Sequence, residues 1–208
     1  MTDLFLRCLN ATYTRTANSG DYAIEVDGDT LYLLFECSNG FWDWFHNFMF
    51  PAKPYKYMNS TWFCHRGFLR VWKAMRDDIE ARVKNILLDS PEIVSIVCVG
   101  YSHGGALSLF ATEDMQYLHG DVMNVTGYGF GAPRVIWGFL PKAVKTRLLH
   151  FSVVRNIPDL VTHVPPVLFG FRHPNKPTKV GKLGKYSPIR AHYPDVYENE
   201  LRSDSRVN

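Results

Sequence analysis

Residues Ile93 to Leu109 have the sequence IVSIVCVGYSHGGALSL. The apolar, β-branched start of this stretch follows Pro91 and ends at Gly100, which is typical of a strand buried on both faces. The pattern then breaks at a serine between glycines and restarts with helical periodicity. We therefore predict a strand, a sharp turn and a helix.

Ser102 at the predicted turn is a candidate nucleophile. Gly100 and Gly104 complete a G-x-S-x-G pattern, in which small neighbours let the strand and helix backbones lie close together. Such a turn lifts the hydroxyl out of the sheet and aims the first helical N–H groups at an anion forming beside it. The pentapeptide also occurs by chance, but the strand before it and the amphipathic helix after it favour catalysis.

The composition is that of an ordinary globular protein. The 208 residues are 46% hydrophobic and 21% charged, which suits one α/β domain over residues 1–208 and is too little for two. The 23 basic and 20 acidic side chains give a net charge of only +3. This balance gives no argument for a nucleic-acid partner.

The cysteines and the start of the chain predict an intracellular, cytoplasmic protein with reduced thiols. Cys8, Cys37, Cys64 and Cys98 lack the spacing of a metal site. The start, MTDLFLRCLN, has an acid at position 3 and too short an apolar run for a signal peptide. No stretch of the sequence reaches the ~18 apolar residues of a transmembrane segment.

Strands alternate with helices along the chain, which predicts an α/β fold with a mostly parallel sheet and helices on both faces. The predicted strands are 22–26 and 31–35, joined by an Asp-Gly turn, and then 93–99, 122–130 and 149–154. The predicted helices are 66–88, 103–119, 141–147 and a terminal helix that begins after residue 193. Chemistry in such sheets lies at the carboxyl ends of the strands.

Two further stretches leave alternatives open. Residues 45–62 are rich in aromatics and prolines without a clear period, and they suit either core packing or a lid over an apolar pocket. Residues 160–194 contain no Asp or Glu. Their cations suit either a solvated loop or a surface that contacts anionic lipid. The cations are Arg172, Lys176, Lys179, Lys182, Lys185 and Arg190.

An activated serine needs a histidine to take its proton and a carboxylate to orient that histidine, and in this kind of fold they follow in the order Ser, Asp, His. Asp159 comes just after the predicted strand 149–154, so we favour it over a purely loop-capping role. Asp114 and Asp121 lie on or beyond the far end of the serine helix.

Three histidines follow Asp159. His163 is only four residues on, and His173 lies in the basic, proline-broken stretch. His192 stands in a loop just before the terminal helix, where an imidazole can reach over the sheet edge, so we favour it as the base. His103 is of interest mainly for its backbone N–H.

Several motifs together resemble the class 3 lipase family of α/β-hydrolases, the fungal-type triacylglycerol lipases and their bacterial and viral relatives. The similarity extends over about residues 20 to 201 and its motifs occur in the family's order. They are WDW at 42–44, HRGF at 65–68, GYSHGGALSLF at 100–110, FGAPR at 130–134 and DLVTHVPP at 159–166.

The resemblance implies an α/β-hydrolase fold in which Ser102 is the nucleophile, Asp159 the triad acid and His192 the triad base. It also implies an oxyanion hole formed by the backbone N–H groups of Ser38 and His103. Cys37 stands where the family has a glycine. By position, residues 45–62 match the family's lid.

The implied activity is that of a serine carboxylic ester hydrolase acting on lipid esters, of the triacylglycerol lipase or phospholipase A1 type, through an acyl-enzyme intermediate. Its partners would be a lipid or other acyl-ester substrate and a lipid surface touched transiently, and the chemistry requires no metal or organic cofactor. Two alternatives stay open. One is an acyltransferase or thioesterase with the same triad, and the other is a catalytically silent binding protein on this fold.

Overall fold

The computed structural model describes residues 1–15, 20–36, 51–57 and 60–204. Its helices are α1 (Thr2–Asn10), α2 (Arg66–Asp89), α3 (His103–His119), α4 (Lys142–Arg147) and α5 (Pro194–Ser203). Its strands are β1 (Tyr22–Asp27), β2 (Thr30–Phe35), β3 (Ala52–Tyr57), β4 (Ser60–His65), β5 (Ser95–Tyr101), β6 (Asn124–Phe130), β7 (Ile136–Trp137), β8 (Phe151–Asn156), β9 (Phe171–Arg172) and β10 (Thr178–Val180).

The larger sheet positions the site. Six of the described strands form it in the order β1-β2-β5-β6-β8-β10. The β1–β2 pair is the antiparallel hairpin predicted from the Asp-Gly turn, and the other neighbours are parallel. The predicted mostly parallel sheet is confirmed.

Both faces of this sheet are buried, as the continuous apolar runs of its strands predict. On β2, Leu33 packs in a core with α2 and α3, whereas Leu34 faces the opposite side. That second core contains Phe5 of α1 and Leu201 of α5. Helices therefore cover both faces of the sheet.

The aromatic stretch 45–62 is described in part. Residues 52–57 form β3 and pair with β4 in an antiparallel hairpin, which β7 and β9 extend to four strands. Tyr55 and Trp62 are buried, and both rings contact Phe110 of α3 at centroid distances of 5.5 and 5.4 Å. These two aromatics are core residues. Residues 45–50 lie outside the described part, so a moving lid stays a prediction.

The strand before the serine turn begins and ends later than predicted. It covers Ser95–Tyr101 rather than 93–99, because its parallel register with β6 runs from Ser95 opposite Asn124 to Tyr101 opposite Phe130. Helix α1 was not predicted from its short apolar run. None of the helices in the described residues has the length and hydropathy that a membrane crossing requires.

Candidate active site

The serine turn is strained. Ser102 joins β5 to α3 with φ 56° and ψ −118°, and among the described residues it is the one non-glycine residue with a positive φ. Its backbone N–H donates to the Phe130 carbonyl of the neighbouring strand at 2.8 Å. Such a backbone costs of order 1–3 kcal/mol, so the surrounding structure must hold it.

The two glycines of the motif are required by close backbone contacts. A Cβ on Gly100 would lie 2.0 Å from the Gly104 carbonyl oxygen, and a Cβ on Gly104 would lie 2.1 Å from the Phe35 carbonyl oxygen. No side chain fits at either distance. The predicted close approach of strand and helix backbones is therefore present, and it fixes the direction of the Ser102 side chain.

The three predicted triad side chains meet at the carboxyl ends of β5 and β8. His192 Nε2 lies 2.8 Å from Ser102 Oγ, and His192 Nδ1 lies 2.8 Å from Asp159 Oδ2. Ser102 and Asp159 are fully buried and His192 is 8% exposed. The imidazole thus bridges a hydroxyl and a carboxylate away from bulk water.

The Asp159 carboxylate is held on both oxygens. Oδ1 accepts from the Val161 backbone N–H at 2.9 Å, and Oδ2 accepts from the Tyr197 hydroxyl at 2.5 Å as well as from His192. The Tyr197 hydroxyl itself accepts from the Asn156 backbone N–H at 3.1 Å. Burial and the nearby carboxylate raise the pKa of Tyr197 well above its usual value, so it stays a donor.

The His192 ring is positioned by its neighbours rather than by its own loop alone. The Tyr101 ring stacks on it at 5.2 Å with an interplanar angle of 19°, and the Tyr101 hydroxyl donates to the His192 carbonyl oxygen. One residue earlier, the Ala191 carbonyl accepts from Asn156 Nδ2 at 2.9 Å. The short 3-10 helix Arg190–His192 is thereby tied to the sheet.

The other candidate histidines have different surroundings. His173 Nε2 bonds to the Thr162 carbonyl at 2.9 Å, and burial lowers the pKa of His173 to about 4. Burial and two neighbouring guanidinium groups lower the pKa of His163. Of the three candidate histidines, His192 is the one that the structure brings to Ser102.

The oxyanion residues can be described only in part. His103 is the first residue of α3, so its backbone N–H belongs to a helix N-terminus beside Ser102. Burial lowers the pKa of its ring to about 4 and keeps the imidazole neutral. Ser38 and Cys37 lie outside the described residues. Elsewhere in the described chain, no three His, Cys, Asp or Glu side chains cluster as metal ligands.

Comparison with known proteins identifies the family. Residues 32–169 match the family model described as "Lipase (class 3)". The chain belongs to the class 3 lipase family. The match includes Ser102 and Asp159 but ends before His192, whose place in the site therefore depends on the geometry above.

Two relatives and one solved structure show the extent of the similarity. A lipase from Rhizopus niveus is 28% identical over 161 residues, which are 76% of this chain and 41% of the relative. The secreted mono- and diacylglycerol lipase 1 of Fusarium solani is 31% identical over 131 residues, covering 63% of this chain and 38% of the relative. The chain thus spans about two fifths of the curated relatives it matches. The solved structure of lipase II from Rhizopus niveus superposes with a TM-score of 0.67 at 26% identity, over 82% of this chain and 64% of that one.

These comparisons confirm the predicted family and fold and contradict the predicted location. The α/β-hydrolase fold expected of a class 3 lipase is confirmed by the superposition. The predicted intracellular, cytoplasmic location is wrong, because the Fusarium solani relative is a secreted enzyme and points to an extracellular location. The short apolar run at the start of the chain was a poor guide to location.

Sequence reasoning missed the two tyrosines of the site. Tyr101 lies inside the serine motif, where attention falls on its glycines, and Tyr197 lies in the terminal helix. The helical spacing of Val196, Tyr197 and Leu201, which are buried in the structure, was the available signal. It indicates an inward side chain, but not that the hydroxyl reaches a carboxylate.

Proposed function

We propose that this protein is a serine ester hydrolase that acts on lipid esters, of the triacylglycerol lipase or phospholipase A1 type. The observation that supports the proposal most is the pair of 2.8 Å contacts that His192 makes with Ser102 and Asp159. This is the arrangement in which a neutral imidazole takes the proton of an attacking hydroxyl.

The chemistry follows from these contacts in two balanced steps. Ser102 Oγ attacks the acyl carbon while its proton passes to His192 Nε2, and Asp159 stabilises the imidazolium through Nδ1–H. His192 then gives that proton to the leaving alcohol oxygen as the acyl-enzyme forms. In the second step water attacks the acyl-enzyme, again through His192, and releases the acid and the serine.

The oxyanion of each tetrahedral intermediate needs donors. The His103 backbone N–H, at the positive end of the α3 dipole, supplies one of them. The second donor in this proposal is the Ser38 backbone N–H, and its assignment comes from the sequence motif. Each such donor is worth about 10²–10³ in turnover.

The lipid part of the proposal is supported by the relatives. The Rhizopus niveus relative is a lipase, and the Fusarium solani relative is a mono- and diacylglycerol lipase. Both names favour a lipid ester over a small polar ester as the substrate.

The test is hydrolysis of a soluble p-nitrophenyl ester, followed by a panel of triglycerides and phospholipids. Ser102→Ala and His192→Ala should each lose about 10⁴-fold or more in kcat, whereas the matched His173→Ala should keep most of the activity. Unchanged activity in Ser102→Ala would reject the proposal. A wild-type protein that cleaves no ester in the panel would favour a silent binding protein.

A further inference from the structure

We propose that an exposed apolar ridge, formed by Trp137, Phe139 and residues 167–169, docks this protein on the surface of an anionic lipid layer. The proposal rests on the proposed function, since docking would bring the serine to a water-insoluble ester. It concerns a part of the surface that touches none of the triad residues.

The ridge exposes an unusual amount of apolar side chain. Leu168 is 91% exposed, Phe139 88%, Val167 62%, Phe169 56% and Trp137 40%. Single exposed apolar residues are ordinary, but several large ones gathered at one place mark an interaction surface. These five side chains belong to two neighbouring segments of the chain.

Backbone and side-chain bonds join the two segments. Trp137 Nε1 donates to the Phe169 carbonyl oxygen at 2.9 Å, and the Gly138 backbone N–H donates to the Gly170 carbonyl oxygen at 3.1 Å. Trp137 also belongs to strand β7, which pairs with β9 in antiparallel register, so that Trp137 lies opposite Phe171. The ridge is therefore held in place before any partner binds, which lowers the entropy cost of docking.

A chain of ring contacts connects the ridge to the catalytic turn. Phe171, the strand partner of Trp137, lies 5.8 Å from the His65 ring, and His65 lies 4.6 Å from Phe68. Phe68 in turn lies 5.5 Å from the ring of His103, the residue after the candidate nucleophile. The ridge is thus joined to the serine turn by one strand pairing, Trp137 with Phe171, followed by three ring contacts.

Charge favours an anionic partner surface. The Arg172 guanidinium lies 4.7 Å from the centre of the Phe139 ring, so a cation stands at the edge of the ridge. The stretch 160–194, which includes part of the ridge, has no acidic residue. In it, Lys185 and Arg190 form ion pairs with α5. Within the described residues, no ion pair forms at three other cations of the stretch, namely Arg172, Lys176 and Lys182.

A lipid layer fits this combination better than a protein partner does. Tryptophan, phenylalanine and leucine tips beside arginine and lysine are the composition of segments that lie in a membrane interface. The apolar tips enter the acyl boundary while the cations stay at the headgroups.

The experiment measures binding of the Ser102→Ala protein, which leaves the lipid intact, to phosphatidylcholine vesicles with and without phosphatidylglycerol. In this background, replacing both Phe139 and Leu168 by Ser should weaken partitioning about tenfold or more for each side chain, because the burial of each is lost. Arg172→Gln should weaken binding to the anionic vesicles alone, about fivefold. The matched control is Val122→Ser, which removes a side chain that is 82% exposed at the amino end of β6, away from the serine turn.

The outcomes separate docking from catalysis. The ridge variants, made with Ser102 intact, should cleave a soluble ester at the wild-type rate and lose activity only on vesicles. Equal binding of ridge variants and the Val122→Ser control, or no binding to anionic vesicles, would overturn the proposal. Equal binding to both vesicle types would overturn its charge component. If the wild-type protein cleaves no soluble ester, the proposed function fails while the binding result still decides the docking surface.

Discussion

The Tyr197 hydroxyl donates a 2.5 Å hydrogen bond to Asp159 Oδ2, the same carboxylate oxygen that accepts from the His192 ring. Helix α5 thereby supports the Asp159 carboxylate through the side chain of Tyr197. Tyr197 is fully buried, and its ring also packs on Phe5 of α1. The two helices at the ends of the described chain therefore pack together at the ring whose hydroxyl binds Asp159.

Replacing Tyr197 by Phe should slow catalysis and lower stability. The change removes a hydrogen bond to a charged group and leaves the Asn156 N–H without its acceptor, each worth about 1–3 kcal/mol. We expect kcat/KM for a soluble ester to fall about tenfold. Tyr193→Phe, at a ring that is 44% exposed, is the matched control. An unchanged kcat/KM in Tyr197→Phe would show that Asp159 needs no support from α5.

Replacing Gly104 by Ala should disrupt the serine turn. The new Cβ would lie 2.1 Å from the Phe35 carbonyl oxygen, so α3 and β2 must separate. Overpacking of this kind costs about 1–3 kcal/mol or more. The matched change is Gly28→Ala in the β1–β2 turn, where an added Cβ would meet no neighbouring atom within 4 Å. Its expected cost is about 1–2 kcal/mol, because φ is +59° at this position. Urea unfolding measures both, and equal losses with unchanged esterase activity would contradict the steric account.

Acid should destabilise the fold through His65. Burial and the neighbouring His103 lower the pKa of His65 from 6.5 to about 4. Since the unfolded chain takes up the proton first, stability should fall as the pH drops from 6.5 to about 4, by at most about 1.4 kcal/mol per pH unit. His65→Asn removes this titration and keeps an N-cap acceptor for the Gly67 N–H, which His65 Nδ1 now binds at 3.2 Å. The stability of His65→Asn relative to wild type should rise as the pH falls across that window, measured by urea unfolding. A stability difference that stays constant with pH would contradict this account.

Asp114 should have the opposite pH dependence. Burial and the nearby Glu113 raise the pKa of Asp114 well above 3.8. The folded protein keeps a proton that the unfolded chain loses, so stability should fall as the pH rises above about 4.

Asp114→Asn isolates that effect. The amide oxygen can still accept from Tyr55 and Trp72, which both donate to Asp114 Oδ2. The variant should gain stability over wild type as the pH rises from 4 to 7, measured by urea unfolding, with exposed Asp121→Asn as the control. A constant difference between variant and wild type would mean that Asp114 is ionised in the fold.

The parts of the structure that depend on local patterns were predictable from the sequence. The long helix α2 was predicted to within one residue because its apolar residues recur every three or four positions. The serine turn was predictable because the close approach of its strand and helix backbones requires glycine at fixed positions. The pairing of Asp159 with His192 was predictable from the order Ser, Asp, His along the chain and from the location of active sites at the carboxyl ends of parallel strands. In contrast, β7 and β9 are two residues long and have no detectable period. The ridge they support depends on pairing between distant segments, which no local pattern indicates.

The most direct test of the central claim is covalent labelling by a fluorophosphonate ester, followed by mass spectrometry of the intact protein and its peptides. The account predicts a single adduct on Ser102 in the wild-type protein, no adduct in Ser102→Ala, and strongly slowed labelling in His192→Ala but not in His173→Ala. A wild-type protein that stays unlabelled, or that carries its adduct on another residue, would contradict the claim that His192 and Asp159 activate Ser102.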